Sequence, residues 1–281
     1  MENIYISPLE LCNLNCKYCY TKKTKNILSN RQILSFIRRY NSFLSKFRSQ
    51  QFFNDIQHGD TLAGGKKFVD NKLHLKSIIF CGGEVFTLKN FPSLVNKLNS
   101  MGIFVSIITN GTINRLDEIK DPKNCQLIVS FDGPQKIHDA NRGIGNFKKS
   151  KLFVEYAKKI GFHVEIFFLV TKDSYAYRNS FNISNITKTY LTDRLGSLTI
   201  KQIQNIRQNY PVYPPKNFTC SILSLQSDGK FYGCCESQKS IASLSDPISK
   251  IIFNYSTIYL NNPLCSDPDY FCDLKNFVNS K

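Results

Sequence analysis

From Asn3 to about Gln204 the chain alternates short apolar, β-rich runs with longer stretches in which apolar residues recur at helical spacing. That alternation excludes all-helical and all-β folds before any single residue is weighed. The strand-like runs are Ile4–Ser7, Lys76–Cys81, Ile103–Thr109, Gln126–Phe131, His163–Val170 and Leu198–Ile203. Between them, Asn30–Phe53 carries Ile33, Ile37, Tyr40, Leu44 and Phe47 on one helical face, and Phe91–Asn99, Phe147–Ile160 and about Ser174–Leu191 repeat the pattern. Strands separated by helices are expected to be parallel, because a parallel pair needs a crossover connection. Six such units can form an open doubly wound sheet or a partial barrel, and periodicity does not choose between them.

Past Gln204 the pattern changes. Asn209–Asn217 holds three prolines and two tyrosines, and short runs with five more cysteines follow, so a boundary is expected near residue 207. Gln57–Asn71, with Gly59, Gly64 and Gly65 and few apolar residues, reads as a surface insertion in the first crossover. Gly59–Lys66 nearly imitates a phosphate loop, but Gly65 stands where the lysine belongs and no strand precedes it.

Ten cysteines in 281 residues need a chemical reason. Met1–Pro8 shows no basic segment followed by an apolar run, and nowhere do eighteen apolar residues follow one another. The expectation is a cytoplasmic protein with no membrane partner, in which grouped thiols mean metal or redox chemistry rather than structural disulfides. The 37 basic against 21 acidic residues give a net charge of +16, a field able to attract nucleic acid, anionic membrane or an acidic redox partner. The basic residues are scattered rather than striped, which argues against a nucleic-acid interface.

The strongest local signal is Cys12-Asn-Leu-Asn-Cys16-Lys-Tyr-Cys19, three thiols within eight residues just after the first run. Three thiolates can hold three irons of a [4Fe-4S] cubane and leave the fourth open to a chelating small molecule. Zinc prefers two separated pairs of ligands and fits this spacing poorly.

These residues resemble the defining loop of the radical S-adenosylmethionine (SAM) superfamily, C-x3-C-x2-C with an aromatic residue, here Tyr18, before the third cysteine. Cys81-Gly82-Gly83-Glu84, ending the second run, resembles the family segment whose main chain and carboxylate hold the methionine amine of SAM. Two glycines permit close backbone approach, and a carboxylate suits an ammonium. Thr109-Asn110-Gly111 ends the third run and Ser130-Phe-Asp132-Gly133 the fourth; with His138-Asp139-x-x-Arg142-Gly143 they resemble the signature of the branch that modifies peptides and proteins, anaerobic sulfatase-maturating enzymes included. The resemblance implies that Ser130 contacts the SAM ribose and Arg142 its carboxylate, with Tyr18, Thr109 and Asn110 beside the same cofactor.

Further on, Cys220, Gly229 and Cys234 read C-x8-G-x4-C, with Cys265 and Cys272 later. This resembles the auxiliary iron–sulfur domains of that family, and the absence of a dense later cysteine run points to the shorter, Twitch form rather than the larger SPASM form. The implied ligands of a second [4Fe-4S] cluster are Cys220, Cys234, Cys265 and Cys272, with neighbouring Cys235 able to replace Cys234; a structural zinc is the rival for four thiolates. Cys235, if spare, could donate a hydrogen atom to a substrate radical. Cys81 and Cys125 read as buried small hydrophobes.

The resulting expectation is an α/β protein: a partial (β/α)6 TIM-like barrel, residues 1–206, followed by a small Twitch-like domain, residues 207–281. The resemblance implies reductive cleavage of SAM to a 5′-deoxyadenosyl radical and hydrogen abstraction from a peptide or protein side chain, giving oxidation, crosslinking or epimerisation. It also implies a flavodoxin- or ferredoxin-like electron donor. In an oxidation, Asp132 or Asp173 could take the substrate proton. The alternatives are a small-molecule dehydrogenase acting on an aminocyclitol-like substrate, and a non-catalytic iron–sulfur carrier or nucleic-acid-binding module.

Overall fold

Strands β1 (Asn3–Ile6), β2 (Ser77–Phe80), β3 (Phe104–Thr109), β4 (Cys125–Phe131), β5 (His163–Val170) and β6 (Lys188–Thr192) lie side by side in chain order, each neighbouring pair parallel. The computed structural model describes residues 3–19, 21, 23–46, 74–192, 196–212, 223–233 and 239–260. The helices are α1 (Asn30–Leu44), α2 (Phe91–Asn99), α3 (Gln135–Arg142), α4 (Asn146–Lys159), α5 (Ile200–Asn209) and α6 (Ile248–Leu260).

Alternation along each strand separates two faces. Ile4 and Ile6, Ile78 and Phe80, Val105 and Ile107, Leu127, Val129 and Phe131, and Ile166, Phe168 and Val170 join the buried faces of the helices in one large core. The opposite face forms a second, smaller cluster of Tyr5, Ile79, Cys81, Ile128 and Phe167, against which Ile108 and Leu191 pack. Among the described residues, helices therefore cover one face only, and the other is concave; this makes the molecule a partial TIM-like barrel rather than a doubly wound sheet. Burial on both faces explains why the strands read as continuous apolar runs. Helix α1 shows how sequence sets an element: Ser29 and Gln32 form a capping box at its start, and Ile33, Phe36, Ile37, Tyr40 and Leu44 recur at helical spacing on the buried side.

The sixth strand differs from expectation. Leu198–Ile203 is not a strand: Thr199 caps α5 through a reciprocal hydrogen bond with Gln202, a local start signal that outweighs the β-branched residues behind it. The strand is Lys188–Thr192, inside the stretch read as a helix from Ser174 to Leu191. Only Tyr175–Tyr177 there is helical, a single 3-10 turn, and Ser184 and Asn185 both take positive φ, which stops any longer helix.

The sheet continues beyond β1. Strand β7 (Ser224–Leu225) pairs parallel with it, Tyr5 opposite Ser224 and Ile6 opposite Leu225, and β8 (Lys230–Tyr232) and β9 (Ser240–Ser243) follow antiparallel. Phe231 of β8 packs on Phe36 with ring centroids 4.9 Å apart, and Ile251 and Tyr255 of α6 join the same core. The chain thus crosses residue 206, inside α5, and returns to the edge of the first strand. The segment Gln57–Asn71 and Cys220, Cys234, Cys235, Cys265 and Cys272 lie outside the described residues. Among those described, no helix is long and apolar enough to cross a membrane.

Candidate SAM and cluster site

Cys12, Cys16 and Cys19 all lie on the loop that leaves β1, at the C-terminal edge of the parallel strands, where a barrel of this kind places its functional groups. None is in a disulfide; Cys12 and Cys16 are half-buried and Cys19 is exposed. Burial is the largest cause of the raised pKa of Cys12 and Cys16, and the nearby Cys19 thiol adds to the rise in both. Among the described residues no three His, Cys, Asp or Glu side chains converge on a point that would hold a single metal ion. A cubane asks something different, because each thiolate bonds a separate iron, and a bound metal deprotonates a thiol outright. The donor set, three soft ligands on one loop, fits an iron–sulfur cluster.

What holds the loop is backbone contact with the end of β2. Gly83 N–H donates to Leu9 O at 2.9 Å and Glu84 N–H to Leu11 O at 3.0 Å. A Cβ on Gly83 would stand 1.9 Å from Leu11 O, and one on Gly82, whose φ is +112°, would stand 2.3 Å from Leu9 O. The Gly-Gly pair is therefore required where two backbones touch, independently of any ligand. A third tether comes from α3, where Asn141 O accepts from Lys17 N–H at 3.1 Å.

Glu84 is only 1% exposed. Its carboxylate accepts from Thr109 Oγ1 and Asn110 N–H, each at 2.9 Å, and from Phe86 N–H at 3.2 Å, which ties the end of β2 to the end of β3. Burial pushes its pKa up, and the three donors and the Arg142 charge oppose that rise.

The segment from Ser130 to Gly143 builds the opposite wall. Ser130 is half-buried at the end of β4, facing the concave side. Asp132 is fully buried, and its Oδ2 accepts from Arg142 Nε at 2.9 Å. Burial is the largest single influence on the Arg142 pKa and lowers it, but the charge and hydrogen bond of Asp132, with the Cys16 and Tyr18 charges, together outweigh it and the guanidinium stays protonated. Its two terminal nitrogens make no further hydrogen bond among the described residues, so they are available to a carboxylate. Among the described residues Asp132 Oδ1 and Tyr18 Oη are both buried with no partner at full hydrogen-bond geometry, yet close enough that the Asp132 carboxylate adds to burial in raising the Tyr18 pKa. Buried polar atoms of this kind mark a place where a ligand or water belongs.

The rest of this signature has structural work. Asp139 Oδ1 accepts from Phe147 N–H at 2.8 Å and caps α4, and Gly143, at φ +103°, turns the chain between the two helices. His138 packs between Phe131 and Phe147, ring centroids 5.2 and 5.7 Å away, with both nitrogens buried and unpartnered. Burial, helped by the Arg142 charge, lowers its pKa to about 4. From an ordinary value of about 6.5, the unfolded chain takes up a proton that the folded chain refuses. Stability is therefore complete above about pH 6.5 and is lost as the pH falls through about 4, by roughly 3 kcal/mol. Urea unfolding of the metal-free protein at pH 7 and pH 4.5 should show this loss, and His138→Leu should flatten it; an equal slope in both proteins would refute the assignment.

The structure thus gathers Cys12, Cys16, Cys19, Tyr18, Gly82, Gly83, Glu84, Thr109, Asn110, Ser130, Asp132 and Arg142 around one edge of the sheet. Asp173 is exposed in the turn after β5. Cys81 and Cys125 are buried, 7% and 0% exposed. Two participants carried no sequence signal. Asn13 links the cysteine loop to β3 through Asn110 and Thr112. Glu165, opposite Ile128 on the concave side of β5, holds a buried Oε2 without a partner, and burial pushes its pKa up.

Comparison with known proteins gives a consistent result. The family described as the Radical SAM superfamily matches residues 6–176. A radical SAM cyclopropyl synthase, TigE of Paramaledivibacter caminithermalis, is 25% identical over 195 residues, covering 66% of this chain and 39% of its own, so the chain spans about two-fifths of that relative's length. The structure of anSMEcpe with bound AdoMet and Cp18Cys peptide superposes with a TM-score of 0.67 at 18% identity, covering 91% of this chain and 81% of the other. Streptococcus suis SuiB bound to its precursor peptide SuiA gives a TM-score of 0.61 at 12% identity, covering 96% and 67%. At these identities the structures establish a shared fold.

Proposed function

Because the chain belongs to the radical SAM superfamily of enzymes, we propose that it cleaves SAM reductively and uses the product to abstract hydrogen from a peptide or protein side chain, leading to oxidation, crosslinking or epimerisation. The observation that carries this reading is the juxtaposition of three thiols on one pinned loop with a wall whose guanidinium has two nitrogens unengaged among the described residues. When bound, the cluster and SAM supply the electron and the 5′-deoxyadenosyl radical, and the protein supplies binding, orientation and exclusion of water.

In this reading Cys12, Cys16 and Cys19 ligate the cluster. Arg142 pairs with the SAM carboxylate while Asp132, committed to Arg142, fixes its direction; Asp132 is then a positioning residue rather than the acceptor of a substrate proton. Ser130 meets the ribose, and the Gly82–Glu84 segment with Tyr18, Thr109 and Asn110 encloses the rest. Glu165, on the concave face, holds a buried carboxylate oxygen with no partner among the described residues, and in this reading it meets the substrate. A peptide substrate is supported by the complexes of two structural neighbours, one with Cp18Cys peptide and one with a precursor peptide. We assign residues 1–206 to the SAM-binding core and 207–281 to a Twitch-like unit with a second [4Fe-4S] cluster on Cys220, Cys265, Cys272 and either Cys234 or Cys235; in the first case Cys235 remains as a hydrogen-atom donor. The electron donor is flavodoxin- or ferredoxin-like and the setting cytoplasmic.

Anaerobic reconstitution tests this. Two clusters should bring iron to about eight per chain, and dithionite with SAM should release 5′-deoxyadenosine. About four irons would remove the second cluster, and no nucleoside release would overturn the function. With a candidate peptide, loss of two mass units marks oxidation or crosslinking, and solvent deuterium at an α-carbon marks epimerisation.

A further inference from the structure

Cys12 differs from the other two thiols in its surroundings. Leu14 N–H donates to its sulfur at 3.4 Å, and Asn110 Nδ2 stands 3.7 Å away as a second donor. Among the described residues, no N–H group donates to Cys16 or Cys19; Cys19 has only the Thr21 hydroxyl at 3.0 Å.

The Asn110 amide is not free to turn. Its Oδ1 accepts from Thr112 N–H at 2.9 Å and from Thr112 Oγ1 at 2.6 Å, so that end must be the oxygen. Nδ2 is left to face the cysteine loop, where it also donates to Asn13 Oδ1 at 3.0 Å. The backbone beneath is clamped by Glu84 through Asn110 N–H, and by Ser150, whose hydroxyl donates to Asn110 O at 2.7 Å. With the residue only 8% exposed, water competes little for the amide.

A donor aimed at a cluster sulfur withdraws negative charge from it and favours the reduced cluster, which carries one more electron. We propose that Asn110 is a positioning residue that raises the reduction potential of the cluster on Cys12, Cys16 and Cys19 through an N–H···S hydrogen bond to Cys12, held in place by Thr112 and Glu84. This rests on the cluster assignment made above. It gives the asparagine after β3 an electronic role toward a cysteine nearly a hundred positions earlier in the chain.

The test is a potentiometric titration of reconstituted full-length protein, read by electron paramagnetic resonance on the signal that SAM perturbs. Asn110→Ala should move the midpoint negative, by about 59 mV if the reduced-to-oxidised ratio falls about tenfold in a one-electron couple. Thr112→Val, which keeps Asn110 but unlocks its amide, should shift the midpoint the same way by less. If Asn110→Ala assembles no cluster, the Thr112→Val result decides. Unmoved potentials in the assembled variants overturn the inference and leave the cluster standing, even if SAM affinity falls. A wild-type protein that assembles no SAM-responsive cluster overturns the functional reading instead.

Discussion

Replacing Cys16 with alanine is expected to abolish 5′-deoxyadenosine release, by at least about a thousandfold, or roughly 4 kcal/mol of lost barrier lowering. The reason is chemical before it is structural. A cubane with two protein ligands exposes a second iron, and the loop cannot move another thiol into place because its backbone is pinned at Leu9, Leu11 and Lys17. The Arg142 guanidinium also acts on Cys16, opposing the effect of burial on its thiol. Iron quantification, the SAM-perturbed resonance signal and nucleoside release should fall together, while urea unfolding of the metal-free protein should change little. Nucleoside release near the wild-type rate would remove this loop from the chemistry.

Gly83→Ala should be nearly as severe and by a different route. The added Cβ would stand 1.9 Å from Leu11 O, 2.5 Å from Leu11 C and 2.8 Å from Glu10 C, all of them backbone atoms that cannot rotate away. Relief requires the β2 end and the cysteine loop to part, breaking the Gly83 and Glu84 hydrogen bonds. A cost of about 3 kcal/mol or more is expected, in the range of severe overpacking. Iron retention should fall as well. Gly102→Ala is the natural control: nothing lies within 4 Å of its Cβ, and only its φ of +76° opposes the change, at about 1–2 kcal/mol. Equal urea midpoints for wild type and Gly83→Ala, with full iron in both, would show that this contact does not hold the loop.

Much of the barrel was legible because its strands are buried on both sides. His163–Val170 appears in the structure with the bounds read from its apolar run, and the other four of the first five strands agree to within a residue at each end. The sixth strand was not legible, since Lys188-Thr-Tyr-Leu-Thr is short and follows an Asn- and Ser-rich stretch whose aromatic residues happen to fall at helical spacing. The capping pair Thr199 and Gln202 was a readable signal, hidden by the isoleucines beside it. At the site, the motifs identified positions but not partners. Nothing local says that Glu84 is spent on Thr109 and Asn110, or that Asp132 binds Arg142, because those hydrogen bonds form only after separate strands align. The Gly-Gly pair reads as a place of close backbone approach, but the sequence does not say that what approaches Gly83 is the stem of the cysteine loop.

The late pairing of β7 onto β1 has a consequence for how the protein is made. During synthesis the strand that launches the cysteine loop emerges well before β7, so one of its edges waits for residues 224–225. Contacts so far apart in sequence close slowly, and an uncovered strand edge invites pairing with other chains. Fragments ending at residue 206 should therefore express poorly and aggregate.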